Sequence, residues 1–174
     1  MKKILIVDDE KDIRFILKEI LLENKYSVVT VGTIKDAEEY INKNSFDLAL
    51  LDVLLDEKSR DGLYLLNLIK NKNKDLPVIM MSGHANIQIA VNSVKDGAFE
   101  FLEKPFNQER LLNFIKRGIE FAELVNTKKD LHENIFQSFD FIGESKEILK
   151  IKETIQKISI SDGRILIEGP SGSG

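Results

Sequence analysis

The chain has no cysteine. Disulfides, thiolate catalysis and cysteine-based zinc sites are therefore excluded. Histidine is nearly as scarce, with His84 and His132 alone, too few for a histidine metal cluster. Positive charge is not in excess: the net charge is -4 and the isoelectric point lies near 5.4, which argues against a nucleic-acid surface within these residues. Long apolar runs are missing as well. MKKILIVDDE opens with two lysines and a run that acidic residues cut off at once, too short for the apolar region of a signal peptide. No stretch approaches membrane-spanning length. These absences predict a chain in the reducing cytoplasm, with no membrane partner. A length of 174 residues, 43% of them hydrophobic and 31% charged, suits one globular domain of ordinary size plus an appendage.

What the sequence does have is five short apolar runs separated by helical periodicity. Lys3–Val7, Ser27–Val31, Phe46–Leu51, Val78–Met81 (opened by Pro77) and Phe99–Leu102 read as buried strands. Ile13, Ile16, Leu17, Ile20 and Leu21 stripe a helix over Asp12–Asn24. Ile34, Ala37 and Ile41 mark a second helix, and Leu65, Leu66 and Ile69 a third that follows Asp61-Gly62. Ile87, Ala90, Val91 and Val94 mark a fourth, which Gly97 stops. Leu111, Leu112, Ile115, Ile119 and Ala122 lie on a long fifth. Five βα units predict a doubly wound, flavodoxin-like parallel sheet of strand order 2-1-3-4-5.

Polar side chains stand directly after four of the apolar runs. Asp8 and Asp9 follow ILIV, Asp52 follows LALL, Ser82 follows VIMM and Lys104 follows FEFLE. All would lie at the carboxyl ends of strands, and Asp8, Asp9 and Asp52 would flank the switch point between the first and third strands, where such folds bind ligands. Three carboxylates, a hydroxyl and an ammonium make a site for a divalent cation and a phosphoryl group. Asp52 is the expected nucleophile, forming an acyl phosphate. The approach of phosphoryl oxygens to carboxylates is repulsive, and Mg2+ offsets it by binding one or two carboxylates, waters and phosphate oxygens. Asp9 and Asp52 are the expected carboxylate ligands, with Asp8 holding the metal and its water and the Leu54 carbonyl completing the set. Lys104 balances charge on the acceptor and then pairs with the phosphoryl group. Ser82 donates to a phosphoryl oxygen only after transfer, which pulls the following loop inward. The plainer reading, ordinary loop charges, does not account for their joint placement at strand ends. Asp56, Glu57 and Asp61 read as solvated loop charges and His84 as a loop histidine, while His132 carries no signal.

MKKILIVDDE, LALLDVLL, VIMMSGHANIQIAV and FEFLEKPF together resemble the bacterial response-regulator receiver domain over roughly residues 1–122. The resemblance implies the CheY-like form of the fold, with Asp52 taking a phosphoryl group from a phosphohistidine on a sensor histidine kinase. It places Asp8 and Asp9 in the acidic metal pocket, Ser82 at the switch hydroxyl and Lys104 at the site lysine. Phe101 matches the aromatic switch position that turns inward in the active form. The face made by helix 4, strand 5 and helix 5 is the surface implied to pair with a second protomer. The family tends to a cis bond where Lys104-Pro105 stands, against about 5% of X-Pro bonds generally. Such a module is regulatory rather than enzymatic. Two departures stand out: residues 52–62 form a longer loop without the usual proline, and Leu54 and His84 occupy the positions that tune hydrolysis of the acyl phosphate. A leucine cannot align an attacking water, so a slowly decaying phosphorylated state is expected. A haloacid-dehalogenase-type phosphatase would need an aspartate where Leu54 stands. A receiver that signals by protein contact alone is the other reading.

Beyond residue 122 the pattern changes. Residues 123–138 are polar, with Leu124, Leu131 and Ile135 loosely spaced, and fit either a solvated helical linker or a dimerising coiled coil, with too few heptads to choose. From residue 139 a new unit is expected: FIGES as a turn and cap, Lys146–Ile158 as an amphipathic helix and Arg164–Glu168 as a strand. Gly169, Pro170, Ser171, Gly172, Ser173 and Gly174 then fit the first six positions of the phosphate loop G-x-x-x-x-G-K-[ST]. The chain stops before the lysine, which predicts a fragment of a longer protein. The extended loop, SGHANIQIAV and ILIEGPSGSG resemble the NtrX-type branch of the NtrC family, regulators built of a receiver, a sigma-54-type AAA+ ATPase and a helix-turn-helix domain. ATP, sigma-54 RNA polymerase and DNA would then be engaged through parts of the parent outside this chain.

Overall fold

The computed structural model describes residues 1–55, 61–83, 87–138, 145–158 and 166. Asp56, Glu57, His84, the FIGES turn up to residue 144, the Arg164–Glu168 strand as a whole and the loop from Gly169 to Gly174 lie outside the described residues. The elements run β1 (Lys3–Val7), α1 (Lys11–Glu23), β2 (Ser27–Val31), α2 (Ile34–Lys43), β3 (Leu48–Asp52), α3 (Gly62–Lys72), β4 (Val78–Ser82), α4 (Ile87–Lys95), β5 (Glu100–Glu103), α5 (Gln108–Ser138) and α6 (Lys146–Ile158). The strands form one sheet in the order β2-β1-β3-β4-β5, with every neighbouring pair parallel. This is the doubly wound, CheY-like arrangement expected of five βα units. The chain divides into two compact units, Met1–Lys129 and Asp130–Gly174.

Alternation along the strands splits the core in two. Ile4, Ile6, Leu48, Leu50, Ile79, Met81 and Leu102 pack under α1 and α5, where Leu17, Leu21, Leu111 and Ile115 meet them. Leu5, Val7, Ala49, Leu51, Val78 and Met80 pack on the other face with Ala37 and Ile41 of α2 and Leu65, Leu66 and Ile69 of α3. The helices start where local chemistry favours it. Thr33 caps α2 by accepting the Asp36 N–H at 3.2 Å, and Asp61 caps α3 by accepting the Tyr64 N–H at 3.0 Å. Asp61 is therefore a cap rather than a merely solvated charge. Two residues beyond α4, Gly97 takes a φ of 96°, the left-handed conformation in which glycine ends a helix without strain.

Two strand starts depart from the apolar runs, and β3, β4 and β5 each run one residue further, to Asp52, Ser82 and Glu103. Phe46 and Phe99 precede β3 and β5 instead of opening them. Phe46 packs on Tyr40 with ring centroids 6.3 Å apart, and Phe99 on Phe121 at 5.5 Å. Both rings close the bottom of the sheet, a role that apolarity alone does not separate from strand membership. α5 continues through residues 123–138, as a helical linker requires.

Candidate functional site

Sheet parity explains which side chains meet. Asp8 and Asp52 continue the sides of Ile6 and Leu50, and Lys104 continues that of Leu102, so all three face the α1–α5 side of the sheet. Register brings them level: Val7 pairs with Leu51, Asp52 with Met81 and Ser82 with Glu103. The Lys104 ammonium donates to Asp8 Oδ2 at 2.8 Å and to Asp52 Oδ2 at 2.8 Å. Asp8 is fully buried, Asp52 is 5% exposed and the Lys104 side chain 11% exposed. The Lys104 N–H donates to the Ser82 carbonyl at 2.8 Å, and the Lys104–Pro105 bond is cis, as the resemblance leads one to expect.

The electrostatics follow from burial opposed by pairing. Burial raises the Asp52 carboxyl above its ordinary range; the charge of Asp8 adds to this, while Lys104 and the Leu54 backbone N–H oppose it. Burial pulls Lys104 down, but its hydrogen bonds to Asp52 and Asp8 and their charges outweigh that and leave it raised. The pairing thus favours the charged form of Lys104, while burial works against the charge on Asp52.

Carboxylate oxygens of Asp8, Glu10 and Asp52 lie within 4.8 Å of one another. Such hard oxygen donors fit a small divalent cation, with room left for water and phosphoryl oxygens. This trio includes Glu10, which the sequence reading does not name. Asp9 is exposed and lines the adjoining cleft of about 240 Å3, together with Glu10, Asp52, Leu54, Gly83 and Lys104, but its carboxylate is not in the trio. Glu10 lies 3.7 Å from Lys104. Its signal was the unbroken acidic run VDDE, read only as far as its two aspartates. Leu54 lies at the cleft, 55% exposed.

Ser82 is buried on the opposite parity, continuing Val78 and Met80, and Phe101 packs partly buried against that same core. Serine and phenylalanine thus share the face away from the carboxylates. Sequence reasoning also missed Gly62. A Cβ there would stand 1.9 Å from the Asp52 carbonyl oxygen, so the first residue of α3 lies against the backbone of the acceptor. Among the described residues, no helix is long and apolar enough to cross a membrane.

Residues 4–116 match the family described as the response regulator receiver domain. The nitrogen assimilation regulatory protein NtrX of Azorhizobium caulinodans is 39% identical over 171 residues, which cover 98% of this chain and 37% of that protein. The chain thus spans little more than a third of the length of that curated relative. The crystal structure of the receiver domain of NtrX from Brucella abortus superposes with a TM-score of 0.64 at 41% identity, covering 67% of this chain and 98% of that one. The solution structure of the beryllofluoride-activated NtrC4 receiver domain dimer gives a TM-score of 0.66 at 40% identity, covering 70% and 99%.

Proposed function

We infer the function from one premise: this chain belongs to the response regulator receiver family, and its relatives are NtrX- and NtrC-type regulators of two-component signalling. The proposed role is a phosphorylation-controlled switch in which Asp52 takes the phosphoryl group of a phosphohistidine on a sensor histidine kinase. The observation that carries this reading is the partly buried Lys104 ammonium, bonded equally to Asp8 and Asp52 at 2.8 Å. It lies between two adjacent carboxylates at a sheet edge open to a cleft and opposes the burial that raises Asp52, as a carboxylate nucleophile needs.

In the proposed transfer an Asp52 carboxylate oxygen attacks phosphorus as the phosphorus–nitrogen bond breaks, and the imidazole leaves with the bonding pair and takes up a proton. Mg2+, when bound, would neutralise charge between the carboxylates of Asp8, Glu10 and Asp52 and the phosphoryl oxygens. Asp9, which lines the cleft beside Asp52, and the Leu54 carbonyl stay candidate ligands. Lys104 gives up its bond to Asp52 and pairs with the new phosphoryl group, keeping Asp8 in place. Ser82 then donates to a phosphoryl oxygen, and Phe101, packed on the same side of the sheet, turns inward as the β4–α4 segment follows. Leu54 offers an attacking water no hydrogen bond, so the acyl phosphate persists. The chain on this reading is a receiver of chemistry rather than an enzyme.

The output surface is proposed to be the face of α4, β5 and α5, where a second protomer pairs with the help of the α5 extension. Val91 and Val94 are 43% and 53% exposed there, and Arg110 and Arg117 stack on Phe114 at 5.4 and 5.9 Å. Residues 1–122 form the proposed receiver, 123–138 the linker and 139–174 the start of a sigma-54-type AAA+ ATPase in a longer cytoplasmic parent, with Gly169 to Gly174 the beginning of its nucleotide loop. ATP, sigma-54 RNA polymerase and DNA would meet that parent elsewhere. Incubation with acetyl phosphate and Mg2+, followed by intact mass, tests the core of this reading. A Mg2+-dependent gain of one phosphoryl group that Asp52→Asn abolishes is expected; an equal gain in the variant contradicts it.

A further inference from the structure

We propose that Arg14 is a positioning residue for the metal pocket, holding the β1–α1 loop from behind so that its carboxylates face the cleft. This rests on the phosphoacceptor reading above. Arg14 sits in the first turn of α1, where its N–H bonds the Glu10 carbonyl at 3.1 Å. Helical side chains lean toward the helix N-terminus, and that direction carries the guanidinium back over the loop. Nη1 donates to the Asp8 carbonyl at 2.6 Å and to the Asp9 carbonyl at 2.9 Å.

One charged nitrogen thus fixes the peptide planes on both sides of Asp9. With them it fixes the directions in which Asp8, Asp9 and Glu10 leave the backbone. Arg14 is not part of the cleft lining, so it engages both carbonyls from outside and leaves the carboxylates as what the loop presents. The Asp8 N–H is anchored separately, on the Val31 carbonyl at 3.2 Å. The next residue after Val31 makes room for the guanidinium. A Cβ on Gly32 would stand 2.9 Å from Nη1, 3.0 Å from Cζ and 3.1 Å from Nη2 of Arg14. Arg14 and Gly32 are therefore two halves of one device. Residues that orient metal ligands without touching the metal typically control affinity by about 10–100-fold.

The test is Mg2+ affinity of the full chain by titration calorimetry, with folding followed separately by thermal melting without metal. Arg14→Met is expected to weaken Mg2+ binding about tenfold or more at a temperature where it remains folded. Arg14→Lys, which keeps the charge but loses the planar fork, is expected to fall between. Gly32→Ala, with Arg14 intact, is expected to weaken binding too, and the double variant to bind no worse than Arg14→Met, because both changes act through the same two hydrogen bonds. Unchanged Mg2+ affinity in Arg14→Met, or full additivity in the double variant, overturns the proposal. If Arg14→Met does not fold, unchanged affinity in Gly32→Ala overturns it equally. A wild-type chain that takes up no Mg2+ would instead sink the phosphoacceptor reading, and this inference with it.

Discussion

Asp52 is ionised at a cost. Burial raises its carboxyl, the neighbouring charge of Asp8 adds to this, and Lys104 only partly offsets both. A carboxyl whose folded pKa is raised favours folding while protonated and loses that contribution as pH rises through the folded value. Without metal, Asp52→Asn is therefore predicted to melt above wild type at neutral pH. The difference should shrink as pH falls through the raised Asp52 value toward the ordinary carboxylate range, where both side chains are neutral. Melting curves at several pH values check this, and saturating Mg2+ is predicted to stabilise wild type more than the variant. At this scale the sequence was a partial guide. Asp8, Asp52 and Lys104 were legible because each stands at or just past the carboxyl end of a strand. The place of Glu10 beside them was not, because it lies beyond the end of β1 at Val7, where the strand pattern gives no direction.

At the scale of elements, apolar runs and helical stripes located every described strand and helix of the first unit, because the inner strands β1, β3 and β4 are buried on both faces and the helices pack one apolar side. Boundaries at Phe46 and Phe99 were illegible, since an aromatic ring that seals the sheet's lower edge looks like a strand residue. The start of α3 was read as a turn signal, Asp61-Gly62, without its tertiary reason. Gly62 donates its N–H to the Val53 carbonyl at 3.0 Å and presses on the Asp52 carbonyl. Only a residue without a side chain fits there. Gly62→Ala is predicted to cost about 3 kcal/mol or more, beyond ordinary overpacking because the obstacle is backbone. Urea unfolding measures this; a loss within experimental error of zero would contradict the packing described.

For the molecule as a whole, the exposed valines of α4 and the arginine-flanked Phe114 of α5 belong to the proposed pairing surface, whose use would depend on the switch. Stable phosphorylation, or beryllofluoride in its place, is predicted to raise the sedimentation coefficient toward that of a dimer. Val94→Glu, a charge placed on a half-exposed apolar site, is predicted to keep the chain monomeric without changing phosphorylation. A variant that dimerises as wild type does would move the interface elsewhere. This level was the least legible, since an exposed apolar side chain does not announce its partner.

The central claim is that Asp52 carries the phosphoryl group as an acyl phosphate. Borohydride reduces an acyl phosphate to an alcohol and leaves a free carboxylate untouched, so it marks the acceptor permanently. The decisive measurement is tandem mass spectrometry of the chain after acetyl phosphate, Mg2+ and borohydride. Homoserine at position 52 alone, absent when Mg2+ is withheld, is the predicted result. Reduction at Asp8, Asp9 or Glu10, or none at all in a chain that binds Mg2+, would contradict it.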